Sequence, residues 1–218
     1  MTQKTKILLV DDHPLVREWL ANLINEETDL EVCGQAGTAQ EALALATSLT
    51  PDCAVIDLSL ESGSGLELVK DLKAQLPSVK TLVLSMHDEM LYAERAMRAG
   101  AAGYIMKREA TGKILDAIRT VTAGGLFYSA TVNAQLAQKV VQGGTANPMP
   151  LEDLSDRELE VFHLLGQGLS ARQVSEKMNL SFKTVHAYCS RIREKLNLAG
   201  INELTFHAIR WHKDQQPD

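Results

Sequence analysis

The chain lacks four things, and each absence excludes a class of protein. No apolar stretch in its 218 residues approaches the roughly 18 needed to cross a bilayer. Its opening residues, Met1-Thr2-Gln3-Lys4-Thr5-Lys6, lead into a five-residue apolar run too short for a signal-peptide core. The expected location is the cytoplasm, with no membrane partner. Cysteine is sparse: Cys33, Cys53 and Cys189 are odd in number, widely spaced and without a CxxC pair. That excludes a cysteine-based zinc site and argues against a disulfide framework. The three thiols read as small packing residues, with a redox sensor as the alternative. Finally, the chain has no surplus of positive charge. Its net charge of −6 argues against a uniformly basic nucleic-acid binder.

That average hides an asymmetry. Between Leu165 and Lys213 there are eight basic and three acidic residues, a local charge of +5. The remainder of the chain therefore carries −11. A basic stretch within an acidic chain is the electrostatic footprint expected of a phosphate-binding segment.

What is present begins with alternation. Strand-like runs at residues 6–10, 30–34, 53–57, 80–85 and 102–106 alternate with helical patterns at 14–26, 38–48, 65–75, 89–99 and 110–123. Such alternation predicts an α/β fold with a five-stranded parallel sheet and helices on both faces. The flavodoxin-like strand order 2-1-3-4-5 places the first strand between the second and third. A further helix is expected at about 130–141. The turn-rich stretch Gly143-Gly144-Thr145-Ala146-Asn147-Pro148-Met149-Pro150 reads as a linker. The expected division is a domain over residues 5–123, a helix and linker over 124–150, and an all-helical domain over 151–212.

Four of the strand-like runs end at reactive residues. The first runs into Asp11-Asp12, the third into Asp57, the fourth into Ser85 and the fifth into Lys107. Ligands in open α/β sheets sit just beyond the carboxyl ends of the strands. Three carboxylates, a hydroxyl and an amine thus converge. Adjacent carboxylates repel, and a hard cation such as Mg²⁺ offsets them. A carboxylate can act as a nucleophile and become an aspartyl-phosphate, with Lys107 supplying positive charge and Ser85 a hydrogen bond. Alone, each aspartate reads most simply as a turn former or helix cap, Ser85 as structural and Lys107 as a solvated end. Their joint placement at strand ends is what points to a metal–phosphoryl site.

These residues carry a resemblance. Leu9-Val10-Asp11-Asp12-His13, Val55-Ile56-Asp57-Leu58, Leu84-Ser85 and Gly103-Tyr104-Ile105-Met106-Lys107 make residues 6–123 resemble a receiver domain of two-component response regulators. The resemblance implies Asp57 as phosphoacceptor. It implies Asp12, Asp57 and the Ser59 backbone carbonyl as direct Mg²⁺ ligands, with Asp11 acting through water. It implies Ser85 and Tyr104 as a switch pair and Lys107 as the phosphate contact. The donor is then a sensor histidine kinase, or a small acyl phosphate. Tyr104, on its own, reads as a half-buried strand aromatic; as a switch residue it is expected to rotate inward when Ser85 moves toward a phosphoryl group. One departure is Glu61, where the family usually carries Pro, in the loop Leu60-Glu61-Ser62-Gly63-Ser64-Gly65.

The second half is helical throughout. Ser155-x-x-Glu158 and Ser170-x-x-Gln173 are capping boxes that open two helices. The first carries Leu159, Val161, Phe162 and Leu165 and is expected to stop at Gly166 and Gly168; the second turns Val174 and Met178 inward. After a tight turn at Asn179-Leu180, Ser181 caps a third helix reaching about Asn197, with Val185, Ile192 and Leu196 as its inward stripe. A fourth is expected at about 201–211. Two helices joined by a short turn, the second basic, match a helix-turn-helix.

The stretches Leu154-Ser155-Asp156-Arg157-Glu158, Gly168-Leu169-Ser170, Leu180-Ser181-Phe182-Lys183-Thr184-Val185-His186 and Ile192-Arg193-Glu194-Lys195-Leu196 resemble the LuxR-type helix-turn-helix of NarL/FixJ-class regulators. The implied partner is double-stranded DNA. Lys183, His186, Ala187 and Ser190 are candidates for reading bases; Ser181, Thr184, Arg191, Arg193 and Lys195 are candidates for phosphate contacts or structural roles. His186 stands where many relatives carry Lys or Arg, Tyr188 replaces a frequent His, and Ile201 a frequent Arg. Leu204, Phe206, Ile209 and Trp211 give the last helix either a dimer face or ordinary core. A homodimer on phosphorylation is expected. The leading reading is a phosphorylation-switched DNA-binding transcription regulator, not an enzyme. The alternatives are a metal-dependent phosphotransferase and a receiver-fold regulator controlled by protein partners or redox chemistry.

Overall fold

In the computed structural model, residues 4–60, 64–141 and 151–214 are described. Glu61 and the whole Gly/Pro linker, residues 143–150, lie outside them. The chain divides into two compact units, Met1–Gly143 and Gly144–Asp218.

The first unit is built on five parallel strands in the order β2-β1-β3-β4-β5. They are β1 (Thr5–Val10), β2 (Leu30–Ala36), β3 (Cys53–Ile56), β4 (Lys80–Ser85) and β5 (Gly103–Met106). Five helices follow them in turn: α1 (Pro14–Asn25), α2 (Ala39–Leu49), α3 (Gly65–Gln75), α4 (Glu89–Ala99) and α5 (Ala110–Thr122). In β1 the side chains of Ile7, Leu8, Leu9 and Val10 are all at most 1% exposed, so both faces of this strand are covered.

The helix starts follow local chemistry. Pro14 opens α1, where a missing N–H costs nothing. Thr38 caps α2 by accepting from the Glu41 N–H, Ser64 caps α3 through Glu67, and Asp88 caps α4 through Met90. Gly100, at φ +114°, closes α4 in the left-handed region. Ile114, Ala117, Ile118 and Val121, at i, i+3, i+4 and i+7, are fully buried and seat α5 on the sheet against α1.

The sheet extends by one residue beyond the expected strands. Phe127 bridges Gly103 in parallel: the Tyr104 N–H donates to the Phe127 carbonyl, and the Phe127 N–H donates to the Ala102 carbonyl, both at 2.9 Å. The following helix, α6 (Ala130–Val141), packs on α4. Tyr128 donates to the Ala101 carbonyl at 2.7 Å, and Ser129 to the Glu89 carboxylate at 2.8 Å. The segment 127–129 therefore ties α6 to the ends of α4.

The second unit holds α7 (Asp156–Gly166), α8 (Ala171–Lys177), α9 (Phe182–Lys195) and α10 (Ile201–Asp214). Both expected capping boxes form, at Ser155/Glu158 and Ser170/Gln173. Leu159, Val161, Phe162, Leu165, Val174, Val185, Ile192, Leu196 and Leu204 make the core, while Met178 is only half-buried. The helix stops where expected: Gly166 is the last residue of α7, and an added Cβ there would come within 2.7 Å of the Ala208 carbonyl. Glycine at 166 allows α7 and α10 to approach closely, and the left-handed turn falls at Gly168, φ +86°. α9 ends earlier than expected, with Asn197 at φ +54° beyond it.

Candidate phosphoryl site and nucleic-acid interface

Sheet register assembles the first site. Val10, Ile56, Val83 and Tyr104 lie in one row across four strands. The next residues of β1 and β3 are Asp11 and Asp57, and the Asp57 N–H donates to the Val10 carbonyl at 2.8 Å. Ser85 and Lys107 follow at the ends of β4 and β5. The expected set is brought together.

Lys107 stands between the two buried carboxylates. Its Nζ lies 2.6 Å from Asp11 Oδ2 and 2.7 Å from Asp57 Oδ2. Asp57 is 3% exposed. Burial pushes its carboxyl above the ordinary value, Lys107 pulls it down, and the charge of Asp11 pushes it up again; the net direction is upward. Burial works against the ammonium of Lys107 too, but Asp57 and Asp11 together hold its pKa above the ordinary value. His13 contributes its Nδ1, 2.6 Å from Asp12 Oδ1 and 3.2 Å from Asp11 Oδ1. Arg17 donates to the Asp11 carbonyl.

Asp11, Asp12, His13 and Asp57 each offer a ligand atom, all within 4.8 Å of one another. Three carboxylates against one ammonium leave excess negative charge, and hard oxygen donors in such a set suit a divalent cation such as Mg²⁺. The residues fit a metal. Ser59 donates its N–H to Asp57 Oδ1 at 3.2 Å.

Ser85 and Tyr104 meet behind the pocket. Ser85 is fully buried and accepts from the His87 N–H at 3.1 Å. Tyr104 is 2% exposed, and its hydroxyl donates to the His87 carbonyl at 2.9 Å. The half-buried position expected from the strand pattern is therefore not the one adopted: the ring already lies inward. Packing by neighbours on β4 and α4, invisible in a four-residue strand, accounts for the difference.

Two residues that shape this site escaped the sequence reading. His87 Nε2 lies 2.7 Å from Ser59 Oγ, and its ring stacks on Tyr92 with centroids 4.5 Å apart. It joins the loop after Asp57 to the loop after Ser85. Gly65 is the other. A Cβ there would come within 2.1 Å of the Asp57 carbonyl oxygen, so the start of α3 can pass Asp57 only as glycine. The signal for Gly65 was its place at the first position of a helix, where glycine is a poor former. His87 had none.

The second site lies on α9. Val185, Cys189 and Ile192 face inward, while Lys183, His186, Ala187 and Arg191 are exposed. Ser181 accepts from the Thr184 N–H at 3.0 Å, and the two hydroxyls lie 2.7 Å apart, so both side chains serve the helix cap. Ser190 and Arg193 are half-buried and hydrogen-bonded to each other at 3.4 Å. The Arg191 guanidinium lies 5.9 Å from the Tyr188 ring centroid. Lys195, left between a phosphate contact and structure, is structural: it donates to Glu158 Oε2 at 2.7 Å and to the Asp153 carbonyl at 2.9 Å. On α10, Leu204 is core and Trp211 meets Phe162 edge-on, but Phe206 is 62% exposed and Ile201 41%.

The chain matches the response regulator receiver domain over residues 7–119 and the bacterial regulatory proteins, luxR family, over 152–208. It is 33% identical over 212 residues to the DNA-binding transcriptional activator DevR/DosR of Mycobacterium tuberculosis, covering 97% of each chain. It is 35% identical over 205 residues to the response regulator GacA of Pseudomonas aeruginosa, covering 94% of this chain and 95% of that one. Its fold is similar to that of RcsB from Salmonella enterica serovar Typhimurium, bound to promoter rprA in the presence of phosphomimetic BeF3−: the TM-score is 0.60 at 21% identity, over 95% of this chain and 99% of that one.

Proposed function

The chain belongs to the response-regulator family that joins a receiver domain to a LuxR-type DNA-binding domain, and we propose that Asp57 is its phosphoacceptor and the point at which its DNA binding is controlled. It is a DNA-binding regulator of a two-component system. The observation that carries the Asp57 assignment is the buried carboxylate held 2.7 Å from Lys107 and crowded by Asp11.

The chemistry follows from these residues. A carboxylate oxygen of Asp57 attacks the phosphorus of a phosphohistidine on a sensor kinase. The P–N bond breaks, its electron pair returns to the imidazole, and an acyl phosphate forms on Asp57. Asp12, Asp57 and the Ser59 carbonyl, with Asp11 through water, would hold Mg²⁺, which would supply positive charge against the incoming phosphoryl group. Lys107 then transfers its contact from the carboxylate to a phosphoryl oxygen. Ser85 supplies a hydroxyl to another, and Tyr104 and His87 hold the loop behind it. Moving a two-state switch from 1:99 to 99:1 requires about 5.5 kcal/mol of differential binding, which two charge-assisted contacts to a phosphoryl group are suited to provide.

Lys183, His186, Ala187 and Ser190 read bases, and Arg191 and Arg193 meet phosphates, while Ser181 and Thr184 set the start of the helix. The exposed Phe206 and Ile201 on α10 support pairing of two copies on related half-sites. The output is DNA occupancy, not product release, so the chain is not an enzyme. No helix among the described residues is long and apolar enough to cross a membrane; as a member of this response-regulator family the chain acts in the cytoplasm. The thiols speak against redox control: burial pushes Cys53 up to about 12 and raises Cys33 and Cys189 as well, so none is poised as a thiolate.

Intact-mass measurement with acetyl phosphate and Mg²⁺ tests the assignment. The expected result is one added phosphoryl group, absent in Asp57→Asn. Turnover of a small substrate without a modified chain would instead favour a phosphotransferase.

A further inference from the structure

α9 opens on an apolar side chain that neither the core nor the helix cap uses. Phe182 is 53% exposed. Ser181 and Thr184 supply the cap, and the buried stripe begins at Val185. Residues 182 and 186 lie one turn apart on the same side of the helix. Their rings have centroids 5.9 Å apart at 50°, so His186 backs Phe182 at the N-terminal end of the outward row. Lys183 and Ala187 are exposed beside them, in a stretch of net charge +5. An exposed phenylalanine amid cationic side chains at the leading end of a DNA-reading helix has one apolar feature to meet in the major groove. That feature is the 5-methyl group of thymine, which side chains such as Phe recognise by apolar contact.

We propose that Phe182 is a specificity residue that reads a thymine methyl group, with His186 holding its ring in place. This rests on the reading of α9 as the DNA-reading helix. It adds to that helix an exposed aromatic side chain, far larger than the apolar Ala187 beside it.

The test uses the full chain treated with acetyl phosphate and Mg²⁺. A binding duplex is first selected from a random pool. Each thymine is then replaced singly by deoxyuridine, which removes only the methyl group, and affinity is measured for wild type, Phe182→Ala, Phe182→Leu and Lys183→Ala. At one thymine per half-site, wild type is expected to lose about fourfold, the worth of one buried methyl group. Phe182→Ala should bind more weakly than wild type and show no penalty at that thymine, whereas Phe182→Leu should keep part of it. Equal deoxyuridine penalties in wild type and Phe182→Ala, with Lys183→Ala still weakening binding, would overturn the role of Phe182 and leave the DNA-reading helix standing. Binding unchanged in both Phe182→Ala and Lys183→Ala, or no selected duplex at all, would overturn both. Circular dichroism of Phe182→Ala checks that the exposed substitution leaves the fold intact.

Discussion

Two lysines in this chain each hold a buried carboxylate at 2.7 Å, yet their surroundings differ in charge balance. Lys195 meets Glu158 in the helical unit. There the carboxylate also accepts from the Ser155 N–H, and Lys195 spends a further hydrogen bond on the Asp153 carbonyl. Burial pushes Glu158 up, but Lys195 and Ser155 more than offset it, and its pKa lies below the ordinary value. Lys107 meets Asp57 in the receiver and must also serve Asp11. There the carboxylate stays above its ordinary value. One ion pair is satisfied and structural; the other is under-compensated and chemically available. A short salt bridge does not reveal which kind it is until the neighbouring charges are counted.

The largest effect that separates them is chemical. Asp57→Asn should abolish modification by acetyl phosphate completely, while Glu158→Gln should leave its rate unchanged, both read by intact mass. Gly65→Ala comes next. A Cβ at 2.1 Å from the Asp57 carbonyl oxygen must displace Asp57 or α3. The phosphorylation rate should fall at least about tenfold and the receiver should lose about 2 kcal/mol on denaturant unfolding, an overpacking cost. A wild-type rate would show that the site tolerates looser placement than the structure implies. In the helical unit, Glu158→Ala removes a cap acceptor and the partner of Lys195. It should cost about 2 kcal/mol, or roughly 10 °C in that unit's melting transition.

The smallest effect is the most diagnostic, because the two sites should respond oppositely at neutral pH. Asp57 has a raised folded-state pKa. Its ionised form therefore opposes folding at pH 7, and the opposition fades as pH falls through that raised value. Asp57→Asn should stabilise the receiver by about 1 kcal/mol at pH 7, with the gain shrinking on acidification. Glu158 has a lowered pKa, so its contribution is fully present above the unfolded-state value and is lost as pH falls through the folded one. Glu158→Gln should destabilise at pH 7 and approach wild type in acid. Calorimetric scans of both variants from pH 7 to pH 4 check the pair; parallel curves would erase the distinction drawn between them.

The parts of this molecule legible in the sequence are those set by local pattern. Short strand-like runs mark the five strands, and because the strands are parallel and in register, reactive residues at their ends arrive together. Hence Asp11, Asp57, Ser85 and Lys107 were visible as a group. Capping boxes marked α7 and α8 for the same reason. What escaped depends on contacts between distant elements. Gly166 is legible as a helix stop, but its close approach to Ala208 is not. Lys195 reads equally as a phosphate contact or a structural residue until Glu158 is placed beside it. The Phe127 bridge needs β5 to pair with, and the short apolar pattern around Tyr104 does not foretell how completely α4 and β4 enclose it. His87 acts through a side-chain bond to Ser59, 28 residues away.

The central claim is that Asp57 is an input to DNA binding. It is tested most directly by fluorescence anisotropy of a selected duplex titrated with wild type and Asp57→Asn, each with and without acetyl phosphate and Mg²⁺. Control through Asp57 predicts that the phosphodonor shifts the binding curve of wild type and leaves that of Asp57→Asn unmoved. Superimposable wild-type curves with the modification confirmed by mass, or an equal shift in both proteins, would contradict it.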